Sequence, residues 1–186
     1  MSNLEKFITN LCGEFDNSDQ IKEEVKLNKL NHPKARHING ICNSKIKNLP
    51  KDFKGYFIIE ESYYEKDNFK NVLPHLFLFT LNEDNKIVLT SYEIPKNIKK
   101  EEFRNDNKDL LMDYNELILS EKFKPMVYNE ENEIFQGESI SYFSAENKFT
   151  LRERIENDII YVSEVFEKNG KITFGFLDPI IYKRIR

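Results

Sequence analysis

The chain has 186 residues, of which 39% are hydrophobic and 13% aromatic, and its formal net charge is −4. This length and composition predict one globular domain that spans residues 1–186. The 28 basic and 32 acidic residues are spread through the sequence, so no basic surface for nucleic acid is predicted and nucleic-acid binding is not expected.

We expect no targeting signal in the N-terminal segment. Residues 1–7 contain neither an apolar core nor a cleavage motif, and no later stretch approaches about eighteen consecutive apolar residues. We therefore expect a cytoplasmic protein with no membrane partner. Cys12 and Cys42 can form at most one disulfide, and free thiols are the default expectation.

The first two predicted elements are helices. Leu4, Phe7, Ile8 and Leu11 recur at helical spacing, which predicts a one-faced helix that ends at Gly13. A second short helix is predicted over Asp19–Leu27, since polar capping residues precede it and apolar residues recur at i, i+4 spacing.

From residue 35 onward the pattern changes to short apolar runs with a period of two, separated by Asn, Asp, Lys and Gly. This succession predicts an all-β protein, either an antiparallel barrel or a sandwich. The predicted strands are Ala35–Lys45, Lys54–Tyr64, Leu73–Leu81, Lys86–Glu93, Tyr114–Leu119, Pro125–Tyr128, Ile134–Phe143, Lys148–Arg154, Ile159–Glu167, Lys171–Phe176 and Ile180–Ile185.

Two turns and one helix complete the prediction. Residues 82–85 (Asn-Glu-Asp-Asn) are typical of a hairpin, and Asn169-Gly170 is a strong type I′ signal. The charged segment Ile98–Met112 is predicted to form a helix followed by a loop that crosses one end of the barrel.

The most informative strand contains two adjacent glutamates. Strand alternation places Glu60 on one face with Tyr56, Ile58 and Tyr64, and places Glu61 on the other face. If the first face lines a cavity, Glu60 lies where water is scarce, and burial raises the pKa of such a carboxyl unless donors hold it ionised. The alternative is that the more buried glutamate meets a lysine or backbone donor while the other lies in solvent.

Other candidate residues are histidines and arginines. Of the three histidines, His37 can face a cavity and His75 is more typical of a core histidine; they are too far apart in sequence to predict a metal site. Arg152 and Arg154 share one strand face and could clamp ligand carboxylates, or they could be exposed and balanced by neighbouring acids. Tyrosines on the strands predict a pocket for a flat apolar ligand with polar edges.

Several short motifs occur in an order that resembles the CpcT/CpeT family of bilin chromophore lyases, which have a lipocalin-like β-barrel. They are Leu11–Gln20 (LCGEFDNSDQ), Arg36–Asn39 (RHIN), Gly55–Tyr63 (GYFIIEESY), Met126–Tyr128 with Ile134–Gly137, Tyr161–Val165 and Asp178–Arg184 (DPIIYKR).

The resemblance implies a single lipocalin-like barrel with an N-terminal helix that binds a bilin, and possible attachment of that bilin to a cysteine of an acceptor protein. In this scheme Glu60 or Glu61 donates a proton to the bilin, and no cofactor is needed beyond the bound tetrapyrrole. The ligand contacts expected from the strand pattern and the resemblance are His37, Tyr56, Ile58, Tyr64, His75, Arg152 and Arg154.

The chain departs from the family pattern at positions where arginines would pair with bilin propionates, for example at Asn39. Lyase activity is therefore left open. The alternative function is a non-catalytic lipocalin-like protein that sequesters another small ligand or docks a protein partner. A homodimer also remains open.

Overall fold

The protein is described from a computed structural model that covers residues 2–66 and 69–186 of the chain. Within these residues, eleven strands form one antiparallel sheet, two short helices precede most of it, and a separate pair of two-residue strands, β3 and β7, lies outside it. The helices are α1 (Asn3–Leu11) and α2 (Ser18–Lys26). The strands are β1 (Gly13–Asp16), β2 (Lys34–Ile41), β3 (Ile46–Lys47), β4 (Tyr56–Lys66), β5 (Phe69–Leu81), β6 (Ile87–Tyr92), β7 (Met112–Asp113), β8 (Met126–Glu131), β9 (Ile134–Tyr142), β10 (Asn147–Glu156), β11 (Ile159–Lys168), β12 (Lys171–Gly175) and β13 (Ile180–Arg184).

The sheet closes into a barrel. Its order is β10-β9-β8-β6-β5-β4-β2-β1-β13-β11, and β10 pairs with β11 along its whole length to complete the ring. Strand β12 extends β11 beyond the ring. The predicted all-β antiparallel barrel with an N-terminal helix is therefore confirmed, and the sandwich alternative is wrong.

Helix α1 closes one end of the barrel. Ser2 and Glu5 form a capping box at its start, and the four apolar residues of its stripe are all buried. Phe7 is central: its ring centroid lies 5.1 Å from that of Phe79, 4.7 Å from Tyr128 and 5.2 Å from Phe135. The helix therefore plugs this end with an apolar core, and the opposite end holds the entrance described below.

The turns follow local sequence chemistry. Asn169 and Gly170 join β11 to β12 with φ values of 52° and 73°, as the predicted type I′ turn requires. Residues 82–86 join β5 to β6, where the side chain of Asn82 accepts hydrogen bonds from two backbone N–H groups of the turn. Both predicted hairpins are confirmed.

The long connection between β6 and β8, residues 93–125, is called here the crossing segment. The helix predicted within Ile98–Met112 is wrong, because residues 98–111 form turns and irregular backbone and Met112 begins β7. Asparagine side chains compete here with the backbone hydrogen bonds of a helix. The side-chain amide of Asn107 donates to the backbone carbonyl of Glu102, and that of Asn105 donates to the backbone carbonyl of Ile59 in the barrel wall. Phe103 is fully buried in a second core outside the barrel, so tertiary packing overrides helix propensity.

Two further differences concern short elements. The predicted strand Tyr114–Leu119 is a 3-10 turn (Tyr114–Glu116) followed by a single bridge between Tyr92 and Leu119. Strand β1 is absent from the prediction because it has only four residues, in the short connection between α1 and α2. Cys12 and Cys42 are free thiols, and burial raises the pKa of each to about 12. Within the described ranges, no helix is both long and apolar enough to cross a bilayer.

Candidate functional site

Strand β4 places its two glutamates on opposite faces of the barrel wall. Glu60 lies inside, where its carboxyl accepts a hydrogen bond from Ser62 at 3.0 Å and lies 3.9 Å from Nδ1 of His37. Its direct cross-strand neighbours are Asn39 on β2 and His75 on β5. Since cross-strand partners share a face, these polar side chains form one group inside the barrel.

Two more glutamates point into the same interior. Glu153 on β10 accepts a hydrogen bond from the phenol of Tyr128, and Glu164 on β11 accepts one from Tyr64 at 3.3 Å. Glu60, Glu153 and Glu164 are called here the acid cluster. No lysine or arginine in the described part of the chain forms an ion pair with any of the three.

A glycine makes room for one of these contacts. Gly137 on β9 pairs with Glu153 on one side and with Tyr128 on the other. A Cβ at this position would lie 2.8 Å from Cγ of Met126 and 3.2 Å from a ring carbon of Tyr128. Because glycine has no side chain, the Tyr128 phenol can reach across β9 to Glu153.

Burial shifts the pKa values of the glutamates and histidines inside the barrel. It raises the pKa of Glu60 to about 8, with a further contribution from the charges of Glu153 and Glu164. It likewise raises the pKa of Glu153 to about 7 and that of Glu164 above its ordinary value. Burial lowers the pKa of His37 to about 3 and that of His75 to about 4. At neutral pH the imidazoles are therefore neutral and Glu60 holds a proton, which it could donate as an acid.

Several buried polar atoms have no hydrogen-bond partner among the described residues. They include Nε2 of His37, Oδ1 of Asn39 and the hydroxyl of Tyr182. The rings of His37 and Tyr182 stack with centroids 4.0 Å apart, and the Tyr182 hydroxyl lies near the phenol of Tyr64 without a hydrogen bond of standard geometry. Unpartnered buried polar atoms are costly, so a polar group of a ligand would be stabilised here.

The entrance lies at the end of the barrel opposite α1. It is a cavity of about 190 Å³ with mainly apolar walls, and Glu164, Tyr64 and Tyr182 are its interior polar residues. The remaining lining residues are Pro33, Lys66, Phe69, Asn71, Leu73, Val162, Phe174, Gly175, Phe176 and Ile180. A larger recess of about 590 Å³ lies on the outside, beside α2, and none of its lining residues belongs to the acid cluster.

Gly175, at the end of β12, lines this cavity and allows β12 to approach β11 closely. Its φ is +92°, and a Cβ at this position would lie 1.7 Å from the carbonyl oxygen of Glu164. Only glycine fits such a backbone contact, and it holds β12 against the strand that carries Glu164.

The structure brings most of the predicted ligand contacts together. The side chains that face the barrel interior are those of His37, Tyr56, Ile58, Glu60, Tyr64 and His75. Of these, Tyr64 lines the entrance cavity, and His75 stacks on Phe77 with centroids 5.4 Å apart. Glu60 keeps 12% of its side-chain surface accessible although it lies inside the wall, so a small space adjoins its carboxyl.

The other three predicted residues lie outside the barrel. Glu61 is 2% exposed and anchors the crossing segment, since it accepts hydrogen bonds from the backbone and side-chain amides of Asn105, each at 2.8 Å. Arg152 pairs with Glu138, and Arg154 pairs with Glu156 at 2.5 Å. The arginines face away from the acid cluster because strand alternation places them opposite Glu153. Their position matches the alternative in which acidic neighbours balance them.

Sequence analysis missed Glu153, Glu164, Tyr128 and Tyr182 as site residues. The available signal was a glutamate at an inward position between two apolar residues, as in Leu151-x-Glu153-x-Ile155. Glu164 has the same surroundings in Val162-x-Glu164-x-Phe166, but Ile59-x-Glu61-x-Tyr63 also fits the pattern although Glu61 lies outside the barrel, so the pattern alone does not select the interior glutamates.

Comparison of the sequence with models of known protein families gives no match, and comparison with curated proteins gives no significant match. In residues 2–66 and 69–186, no group of three or more His, Cys, Asp or Glu side chains is arranged to hold a metal ion. The fold is a β-barrel compatible with a lipocalin-like ligand-binding protein, with a small apolar entrance above a buried polar interior.

Proposed function

We propose that this protein binds a small, mostly apolar ligand in the entrance cavity, with the polar end of the ligand directed toward Glu164, Tyr64 and Tyr182. The observation that carries this proposal is the combination of apolar walls with a buried hydroxyl that has no partner among the described residues. Ligand sites are typically apolar pockets with a few convergent polar groups.

The size of the cavity limits the ligand. Its volume of about 190 Å³ lies below the usual range for drug-sized ligands, roughly 300–1,000 Å³. An apolar cavity of roughly 150 Å³ in another protein is large enough to bind benzene. A ligand with one aromatic ring or a short alkyl chain therefore fits this cavity without rearrangement of the barrel.

The substitution Val162→Phe tests this proposal, because Val162 is 6% exposed and lines the cavity. We expect the wild-type protein to bind 2-phenylethanol with a Kd of about 1 mM or tighter, measured by NMR titration. Val162→Phe fills the cavity and should abolish this binding.

The matched control is Val127→Phe, on the outer face of β8, where the side chain is 38% exposed. It should bind 2-phenylethanol as the wild type does. Saturable binding that survives Val162→Phe would place the ligand elsewhere and contradict the proposal.

A second candidate function is the binding of a bilin, with possible transfer to a cysteine of an acceptor protein. It is supported by the order of the family-like motifs along the chain and by Glu60, whose proton is retained at neutral pH. The cavity volume and the arginines favour the first candidate, because Arg152 and Arg154 face outward and pair with Glu138 and Glu156 rather than with a ligand in the cavity.

For the second candidate, mixing the protein with biliverdin or phycocyanobilin should shift the bilin absorption band, and Glu60→Gln should reduce that shift. Glu138→Gln, on the outer surface, serves as the control. Transfer is tested by adding an acceptor protein and following covalent bilin attachment. An unchanged spectrum with both bilins would eliminate this candidate and leave the small-ligand function.

A further inference from the structure

We propose that the ligand is a cation, a small aromatic or alkyl amine whose ammonium group binds at Glu164 beneath Tyr64 and Tyr182 while its apolar body fills the entrance. This inference rests on the proposed function, since it names the chemical class of ligand for the same cavity.

The charge of the interior is the first reason. The acid cluster places three carboxyl groups inside one barrel, and their hydrogen-bond donors are uncharged, namely Ser62, Tyr64 and Tyr128. Within the described ranges, no lysine or arginine pairs with these carboxyls. An anion that entered would be repelled by any ionised carboxyl, whereas an ammonium group would gain a charge-assisted hydrogen bond.

The unpartnered atoms are the second and independent reason. The side chains of His37, Asn39 and Tyr182 are 3%, 3% and 0% exposed, and each carries a buried polar atom without a partner. Asn39 Oδ1 is an acceptor, and a neutral imidazole nitrogen and a phenol oxygen can both accept. Each of these atoms can therefore accept a hydrogen bond, and that of Tyr182 lines the entrance cavity, where an ammonium group would supply three donors and no acceptor.

Binding of a cation should also displace a proton. Burial raises the pKa of Glu60 to about 8 and that of Glu153 to about 7, and it raises the pKa of Glu164 above its ordinary value; a neighbouring ammonium group favours the ionised form of these carboxyls. Affinity for an amine should therefore rise as the pH increases from 6 to 8. The titratable groups that interact electrostatically with Glu164 are Glu60, Tyr64, Glu153 and Tyr182. His37 stacks on Tyr182, and Lys66 lines the entrance.

The experiment compares three probes with the same apolar body: 2-phenylethylamine, 2-phenylethanol and 3-phenylpropionate, titrated at pH 7.5 by calorimetry or NMR. We expect the amine to bind about tenfold more tightly than the alcohol, and the carboxylate to bind most weakly. Between pH 6 and 8 the affinity for the amine should rise while that for the alcohol stays constant.

Two variants locate the ammonium group. Glu164→Gln should reduce the affinity for the amine to that for the alcohol, while Glu167→Gln, on the outer face of the same strand and paired with Lys148, should leave it unchanged. Circular dichroism checks that both variants fold. If Glu164→Gln does not fold, Tyr182→Phe, which removes one acceptor and keeps the ring, should weaken amine binding several-fold.

The outcomes separate this inference from the proposed function. If the alcohol binds as tightly as the amine, or the carboxylate binds most tightly, the cavity is a ligand site but the ligand is not a cation. If amine selectivity persists in Glu164→Gln, the assignment of the ammonium site is overturned. If none of the three probes binds, the proposed function fails, and this inference fails with it.

Discussion

Phe7→Asp should destabilise the protein by at least about 4 kcal/mol, the largest effect that we expect from any single substitution. Removal of a buried phenylalanine typically costs roughly 3–5 kcal/mol, and the new carboxylate would be buried without a partner. Phe7 is fully buried at the α1 end of the barrel and contacts three aromatic rings. The free energy of unfolding, measured by urea titration, checks this expectation.

A matched control introduces the same residue on the exposed side of the same helix. Asn3→Asp adds a carboxylate at the first residue of α1, where negative charge suits the helix dipole, so its effect should stay within about 0.5 kcal/mol. An equal, small effect of both substitutions would show that α1 does not close the barrel in solution.

The stability of the protein should fall as the pH rises from about 6.5 to 8.5. Glu60 and Glu153 have folded-state pKa values of about 8 and about 7, raised by burial from the ordinary value of 4.5. In this range the folded protein holds protons that the unfolded chain has already released. Its stability therefore decreases with pH, by up to about 1.4 kcal/mol per pH unit for each such group.

The histidines have the opposite effect on the pH dependence of stability, and they have it at lower pH. Burial lowers the pKa of His37 to about 3 and that of His75 to about 4, so the unfolded chain binds more protons than the folded one between these values and about 6.5. Stability due to the histidines rises with pH over that interval and offsets the loss from the glutamates. Above pH 6.5 only the loss from the glutamates remains.

Glu60→Gln tests this pH dependence because it keeps the shape of the side chain and removes its titration. The variant should be more stable than the wild type at pH 8.5, by on the order of 2 kcal/mol, and should lose this advantage at pH 5.5. Thermal unfolding in a series of buffers gives the measurement, and Glu138→Gln on the surface is the control. Parallel curves for wild type and Glu60→Gln would show that Glu60 does not carry the linked proton.

Much of the barrel follows from local patterns in the sequence. The two-residue period identified the long strands and placed Glu60 and Glu61 on opposite faces of the same strand, and hairpin chemistry identified two of the turns. The stripe of α1 identified all four of its buried residues. These features depend only on neighbours along the chain, so a single sequence was sufficient to predict them.

The acid cluster depends on information that local patterns do not contain. Glu60, Glu153 and Glu164 lie on three different strands. They converge because β10 pairs with β11 to close the sheet, and because the strand register places the three residues at similar positions along the barrel axis. The crossing segment was misjudged for a related reason. Its charged composition favours a helix, but Asn105 and Phe103 are fixed by the barrel wall, and that contact is nonlocal.

The pairing of β1 with β13 has a consequence for how the barrel forms. Phe15 lies opposite Arg184, so the strands that are first and last along the described chain are paired neighbours in the ring. Contacts between residues so distant in sequence slow folding, and all-β domains of this kind typically fold in milliseconds to seconds. During synthesis the acid cluster cannot be enclosed until Ile180–Arg184 has left the ribosome, so the nascent barrel stays open and its polar interior stays hydrated until β13 has emerged.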